Sequence, residues 1–161
     1  MNTHIWILAL LIGCGGRSRP LTSKQGASER NYDVGKPGAG WVRLAPGGAD
    51  KAWLHGKTGA TIYTDSNCKA RFEDKPLAAL VTHLTFGMAH GDPISEERLT
   101  LDGRAALMRI NRGTVDGVKV QIAAVVIKKN RCIYDALYIN SPGDFDSGMS
   151  GFNQVILGFE S

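Results

Sequence analysis

The chain has 161 residues, 43% of them hydrophobic, and carries 19 Lys and Arg against 15 Asp and Glu, a formal net charge of +4. This length suits one domain with a proper hydrophobic core. Lys and Arg do not alternate with aromatic residues in any run, which argues against a nucleic-acid-binding protein. The mild basic excess fits either an ordinary solvated surface or a general attraction to anionic surfaces.

An apolar run over residues 5–12 precedes Gly13 and Cys14. Its eight residues suit a signal peptide and fall far short of the roughly 20 that span a bilayer. The segment Leu11-Ile12-Gly13-Cys14 resembles the bacterial lipobox. The resemblance implies that residues 1–13 are a signal peptide that is removed, and that lipid on Cys14 anchors the protein to a membrane. A buried N-terminal strand with an incidental cysteine is the alternative.

The sequence around Cys14 also bears on location. Residues 1–4 lack the Lys or Arg typical of a signal peptide, which is a departure from the pattern. In Gram-negative lipoproteins an Asp after the lipidated Cys commonly retains the protein at the inner membrane. Gly15 stands there instead, so an outer-membrane anchor with the domain facing the periplasm is favoured. Residues 14–36 are rich in Gly, Ser and Arg and are interpreted as the lipidated Cys with a flexible tether.

Residues 37–161 are expected to form a single globular domain. Order is expected to begin near Tyr32 and Val34. Three short strand-like segments open the domain, and they are residues 41–44, 52–55 and 60–64. A helix is predicted next, because Asp74 and Pro76 are typical of a first helical turn and apolar residues follow at helical spacing. These residues are Leu77, Leu80, Val81, Leu84 and Met88.

Four strands and a last helix complete the predicted order. The strands are residues 97–101, 105–110, 118–127 and 132–139. Asp102-Gly103 and Asp116-Gly117 are expected turns between them, which favours antiparallel neighbours. On the third of these strands one face is predicted to be apolar, while Lys119 and Gln121 lie opposite. The last helix carries an apolar stripe that Gly148 and Gly151 weaken by their low helix propensity. The stripe consists of Phe145, Met149, Phe152, Ile156 and Phe159.

Strands, a helix, four strands and a terminal helix are an α+β order. The chain resembles the PsbP-like fold through three features: Pro37 with Trp41 at the start of the domain, the hairpin over residues 116–139, and the closing helix from Phe145. The resemblance implies a central antiparallel sheet of about six or seven strands flanked by two main helices. Proteins of this fold act largely as extrinsic or accessory binding subunits.

The remaining cysteines form a natural pair. With Cys14 assigned to lipid, Cys68 and Cys132 are left in an oxidising compartment, which favours a disulfide between them. Two free buried thiols are one alternative and metal ligation is another. Neither cysteine has a second Cys or a His at zinc-ligand spacing, so no metal site is predicted.

His90 and Asp92 are the most suggestive residues for chemistry, because a His near a carboxylate can serve acid–base catalysis. They fall in the loop expected between the first helix and the next strand, where Gly and Asp are common for turn reasons alone. The common hydrolase and phosphate-binding motifs are missing from the sequence.

The sequence therefore favours a non-enzymatic envelope lipoprotein that needs no cofactor and binds or scaffolds other envelope proteins. The alternative is a periplasmic carrier or sensor of a small apolar or anionic ligand held between sheet and helix. A hydrolase that uses His90 and Asp92 is the third hypothesis.

Overall fold

The structure is a computed structural model, in which residues 31–45, 47–68 and 74–161 are described. Cys14, the expected signal peptide and most of the expected tether lie outside the described residues. In the described part of the chain, no helix has the length and apolar character needed to cross a membrane.

Over the described ranges the chain forms a seven-stranded antiparallel sheet with the order β1-β2-β3-β7-β6-β5-β4. The strands are β1 (Trp41–Leu44), β2 (Lys51–His55), β3 (Thr61–Asn67), β4 (Ala89–Leu101), β5 (Arg104–Val115), β6 (Val118–Lys129) and β7 (Cys132–Asn140). Helix α1 (Leu77–Leu84) lies between β3 and β4 in sequence, and helix α2 (Phe145–Leu157) follows β7. The predicted α+β class, antiparallel sheet and two flanking helices are confirmed.

The connection through α1 determines the strand order. The chain leaves the middle of the sheet at β3, passes through α1 and re-enters at the far edge as β4. From there β4 to β7 form a meander that returns until β7 pairs with β3, with Asn67 opposite Ile133. Helix α1 contacts β5 and β6 and packs on one face of the sheet, whereas α2 packs on the other face.

Strand β6 is buried on both faces, because a helix covers each of them. The predicted apolar face is present, with Ala124 and Val126 in the cluster that contains Leu80 and Val81 of α1. The opposite face is also apolar, and its Ala123, Val125 and Ile127 belong to the larger core beneath α2. Strands covered on both faces carry nearly continuous apolar runs. Gln121, expected to be on a polar face, is buried.

Strands β4 and β5 are longer than the sequence predicts. His90 and Asp92 lie within β4 and not in a loop, and β5 continues through Asn111 to Val115. Two register shifts, one between Ala89 and Asp92 and one between Pro93 and Ser95, interrupt the pairing of this edge strand with β5. The Asn111 side-chain amide donates a hydrogen bond to the Gly91 carbonyl at 2.6 Å, so a residue expected in a break between strands holds the two strands together.

Helix α2 packs closely on the sheet through its two buried glycines. A β-carbon at Gly148 would lie 2.4 Å from the Tyr138 hydroxyl oxygen, and one at Gly151 would lie 2.6 Å from Nε1 of Trp41. That hydroxyl donates to the Phe145 carbonyl at 2.7 Å. The predicted stripe of α2 is confirmed, since Phe145, Phe152, Ile156 and Phe159 are buried. Gly148 and Gly151 lower helix propensity, but they allow β1 and β7 to approach the helix.

The end of the expected tether packs against the domain. Tyr32 is buried, and its hydroxyl is 2.9 Å from Oγ1 of Thr64. Asp33 and Glu160 exchange backbone hydrogen bonds of 2.8 and 3.1 Å. The described domain therefore includes residues that precede Pro37, because the C-terminal segment offers them a backbone partner.

Cys68 and Cys132, the pair that the sequence predicts, form a disulfide across a sequence separation of 64. Cys68 directly follows β3, and Cys132 is the first residue of β7. Because Asn67 pairs with Ile133, the next position brings the two cysteines opposite one another. The bond therefore closes the crossover that contains α1 and the meander.

Candidate functional site

The candidate site is an open groove of about 690 Å³ between α1 and the sheet, here called the α1 groove. Helix α1 is only 8 residues long and covers β5 and β6, so the same face of β7 and the end of β3 stay open beside it. The walls of the groove are mostly apolar, and their residues are Ala79, Leu80, Leu84, Val126 and Ile133. Its volume lies in the usual range of about 300–1,000 Å³ for small-molecule sites.

Asp135 supplies a carboxylate to the sheet side of the groove. It lies on β7 between Ile133 and Leu137, at a position where alternation would place an apolar residue facing α1. Among the described residues, none forms a hydrogen bond or ion pair with its side chain. Burial raises the pKa of Asp135 to about 7, and the negative charges of Asp65 and Asp50 act in the same direction. The groove thus contains a carboxylate that no described residue neutralises.

Asp65 is the direct neighbour of Asp135 across the β3–β7 pair. Side chains opposite each other in antiparallel strands share one face of the sheet, and like charges in that position are destabilising. Asp65 accepts a 3.0 Å hydrogen bond from the Ser66 backbone amide. The two carboxylates make this side of the groove negative.

A lysine and a histidine lie at the rim. Lys75 precedes α1 and His83 is on α1, and both line the groove. The ammonium group of Lys128 donates to the Lys75 carbonyl at 3.0 Å, which ties the start of α1 to β6. The groove therefore has a negative floor, apolar walls and a basic rim.

We expect Asp135→Asn to stabilise the protein at pH 8 and not at pH 4.5. The pKa of Asp135 is raised to about 7 in the folded chain from about 3.9 in unfolded peptides. Ionisation of Asp135 therefore costs more in the folded chain than in the unfolded chain, and the folded state loses stability as pH rises from about 4 through 7. Above that range, removing the charge should raise the free energy of unfolding by on the order of 2 kcal/mol. Urea unfolding at both pH values measures the difference.

Asp116→Asn is the matched control, because Asp116 is an exposed turn residue at φ 49°, a conformation that Asn tolerates. Its effect should be small and equal at both pH values. If Asp135→Asn shifts stability equally at pH 4.5 and pH 8, the carboxylate is not destabilised in the folded state.

The structure does not bring His90 and Asp92 into the α1 groove. Both are exposed on the edge strand β4, and His90 has a φ of 52°. In the described part of the chain, no hydrogen bond joins their side chains. Nor does that part contain a group of three or more His, Cys, Asp or Glu positioned to hold a metal ion. The geometry therefore gives the third hypothesis no support.

Sequence reasoning missed Asp135, although one signal was available. The strand containing it has apolar residues at Ile133 and Leu137, so an Asp between them interrupts a buried face. That signal marks an unusual carboxylate, but it does not reveal Asp65 beside it or the groove in front of it.

A second depression of about 670 Å³ lies at the N-terminal segment, beside Trp41 and Trp53. Two of its cations are already engaged. Arg43 stacks 5.4 Å from the Trp53 ring centre, and Lys51 lies 3.9 Å above the Tyr32 ring. The α1 groove is the better candidate because its carboxylate, Asp135, has no such partner in the described part of the chain.

No protein-family model matches the sequence, and no curated protein matches it significantly. Solved structures do match. CyanoP, the cyanobacterial PsbP of Synechocystis sp. PCC 6803, superposes with a TM-score of 0.54 at 15% identity, covering 81% of this chain and 86% of its own. The fold is PsbP-like.

Two further solved structures share this PsbP-like fold. LpqN, which is involved in cell envelope biogenesis of Mycobacterium tuberculosis, gives a TM-score of 0.59 at 12% identity and covers 80% of this chain and 81% of its own. A protein of unknown function from Pseudomonas aeruginosa gives 0.52 at 16% identity, with 75% and 81% covered. At these identities the likeness shows the PsbP-like fold and no more.

Proposed function

We propose that this protein is a lipid-anchored accessory protein of the bacterial cell envelope, and that it works by binding at the α1 groove without catalysing a reaction. The observation that carries the proposal is the carboxylate of Asp135, which has no partner among the described residues and faces an apolar-walled groove. A charge held in such surroundings costs stability. A purely structural role does not require that cost, and strongly perturbed pKa values cluster at functional sites.

The lipobox supplies the location in this proposal. Acyl burial contributes about 0.8 kcal/mol per CH₂, so two or three chains on Cys14 hold a protein at a membrane effectively permanently. The folded domain then need not bind lipid itself. Gly15 favours the outer membrane, and the involvement of the PsbP-like LpqN in cell envelope biogenesis supports an envelope role.

Metabolic labelling tests the anchor. Cells that express the protein are fed an alkyne fatty acid, and the chain is then analysed for label and fractionated. We expect label on the wild type and its loss in Cys14→Ser, with release from the outer-membrane fraction. An unlabelled wild type would contradict the lipid anchor, but it would not bear on binding at the α1 groove.

Two forms of binding fit the groove. In the first, α1 and its rim contact an envelope protein for which this chain is an accessory subunit. In the second, the groove carries a small molecule, which its volume of about 690 Å³ favours.

The variant Ala79→Trp tests whether the groove is a binding site at all, because Ala79 is exposed on α1 and lines the groove. A large side chain there fills the groove without entering the core.

The test combines photocrosslinking from position 83 in living cells with native mass spectrometry of protein purified from its own membranes. A crosslinked envelope protein supports the first form, and a co-purified small molecule supports the second. Either signal should disappear in Ala79→Trp and persist in Ala78→Trp, a neighbouring exposed position that does not line the groove. If neither signal is found, or if both variants behave alike, the groove is not the binding site.

A further inference from the structure

We propose that the α1 groove binds an organic cation, a molecule that combines a protonated amine with an apolar body. This inference rests on the proposed function, because it takes the groove as the binding site and names the chemistry of its ligand. It departs from the apolar or anionic ligand that the sequence suggests.

The carboxylates of the groove favour a positive ligand charge. Asp135 and Asp65 are direct cross-strand neighbours on one face. Asp65 already accepts a hydrogen bond from a backbone amide, whereas the Asp135 carboxylate has no partner among the described residues. An ammonium group placed against Asp135 would form a charge-assisted hydrogen bond and relieve the repulsion between the two carboxylates.

The cations of the described residues leave this position open. Lys75 and His83 line the rim, and Lys128 is bound to the Lys75 carbonyl. In the described ranges none of the three forms an ion pair with Asp135. The groove therefore presents a carboxylate acceptor with room in front of it.

The walls favour an organic ion over a metal ion. Ca²⁺ and Mg²⁺ require about six or more oxygen ligands, and no group of three acidic or metal-binding side chains is found in the described residues. Leu80, Leu84 and Ile133 instead offer apolar surface on both sides of the carboxylate. An alkyl or aryl body would pack there while its ammonium group reaches Asp135.

An anionic ligand fits the groove less well. It would have to place its charge on Lys75 or His83 at the rim and keep its apolar part beside Asp65 and Asp135. A neutral apolar ligand would leave the Asp135 carboxylate without a partner in a drier environment, which is unfavourable.

The experiment compares three probes of equal length: hexylammonium, hexanol and hexanoate. Calorimetric titration uses the full chain purified from membranes in a nonionic detergent, at pH 8. We expect saturable binding of hexylammonium, at least tenfold weaker binding of hexanol, and none of hexanoate. Asp135→Asn should weaken hexylammonium binding at least tenfold, while the control Asp116→Asn binds as the wild type does.

The affinity for hexylammonium should also rise with pH. The cation requires ionised Asp135, so below the pKa of that group affinity falls about tenfold per pH unit and levels off above it. Asp65 faces Asp135 from β3, the negative charge of Asp50, just before β2, acts on it as well, and Lys75, His83 and Lys128 lie on the side of α1 and β6. His83→Gln should keep the pH dependence of the affinity for hexylammonium, whereas Asp135→Asn should abolish it. The comparison shows which of the two groups causes the pH dependence.

The failures are distinguishable. The proposal of a cationic ligand would be wrong if hexanoate binds more tightly than hexylammonium, and if this binding is lost in Lys75→Gln and kept in Asp135→Asn. The groove would then be a binding site for anions. Equal binding of all three probes would also overturn the proposal of a cationic ligand. No binding of any probe, together with equal behaviour of Ala79→Trp and Ala78→Trp in the crosslinking test, would overturn both the cation and the proposed function.

Discussion

Replacing Phe152 by Ala is expected to lower the free energy of unfolding by about 3–5 kcal/mol. The side chain is fully buried, at 0% exposed, and its ring centre lies 5.8 Å from that of Tyr138. Its removal leaves a cavity where α2 meets β7, because close-packed neighbours relax only in part. Urea denaturation followed by circular dichroism measures the loss.

Leu157→Ala is the control for this substitution. Leu157 lies on the same helix and is 73% exposed, so its truncation should change stability by no more than about 0.5 kcal/mol. Since both substitutions introduce Ala into α2, helix propensity contributes little to the comparison. Equal losses at the two positions would mean that α2 does not pack on the sheet through Phe152.

Removal of the disulfide is expected to have a comparable effect. The bond spans a sequence separation of 64, and a loop of that length restricts the unfolded chain by about 4 kcal/mol as an upper estimate. The double variant Cys68→Ser with Cys132→Ser leaves neither thiol free to form other bonds. Its free energy of unfolding should fall by up to that amount relative to the oxidised wild type.

Two measurements accompany this variant. On a non-reducing gel the wild type should migrate faster than the double variant, and the difference should vanish with reductant. Because the bond joins the start of the crossover to β7, hydrogen exchange should increase more in α1 than in α2. Equal stability of variant and oxidised wild type would show that the bond contributes nothing to folding.

Much of the fold is predictable from the sequence because the relevant signals are local. The stripe from Phe145 to Phe159 repeats at helical spacing, and the Asp-Gly pairs at Asp102 and Asp116 adopt positive φ values in their turns. Such signals act over a few residues, so neighbours in sequence suffice to recognise them. The cysteine pair is also predictable, once an oxidising compartment is assumed.

The strand ends and the glycines of α2 were harder to predict. From the sequence, Asn111 predicts a break in β5, whereas in the structure its side-chain amide donates a hydrogen bond to the Gly91 carbonyl. From the sequence, Gly148 is a weak helical position, whereas in the structure Tyr138 lies so close that a β-carbon would not fit. In both cases a partner distant in sequence outweighs local propensity, and no local pattern contains that partner.

By itself, then, the sequence determined the type and order of most elements and the antiparallel character of the sheet. Only the tertiary structure decided that β7 pairs with β3, that α1 stops short of covering them, and that Asp65 and Asp135 meet on the open face. Periodicity and turn chemistry are properties of neighbouring residues, whereas a groove and its charge arise where segments distant in sequence come together.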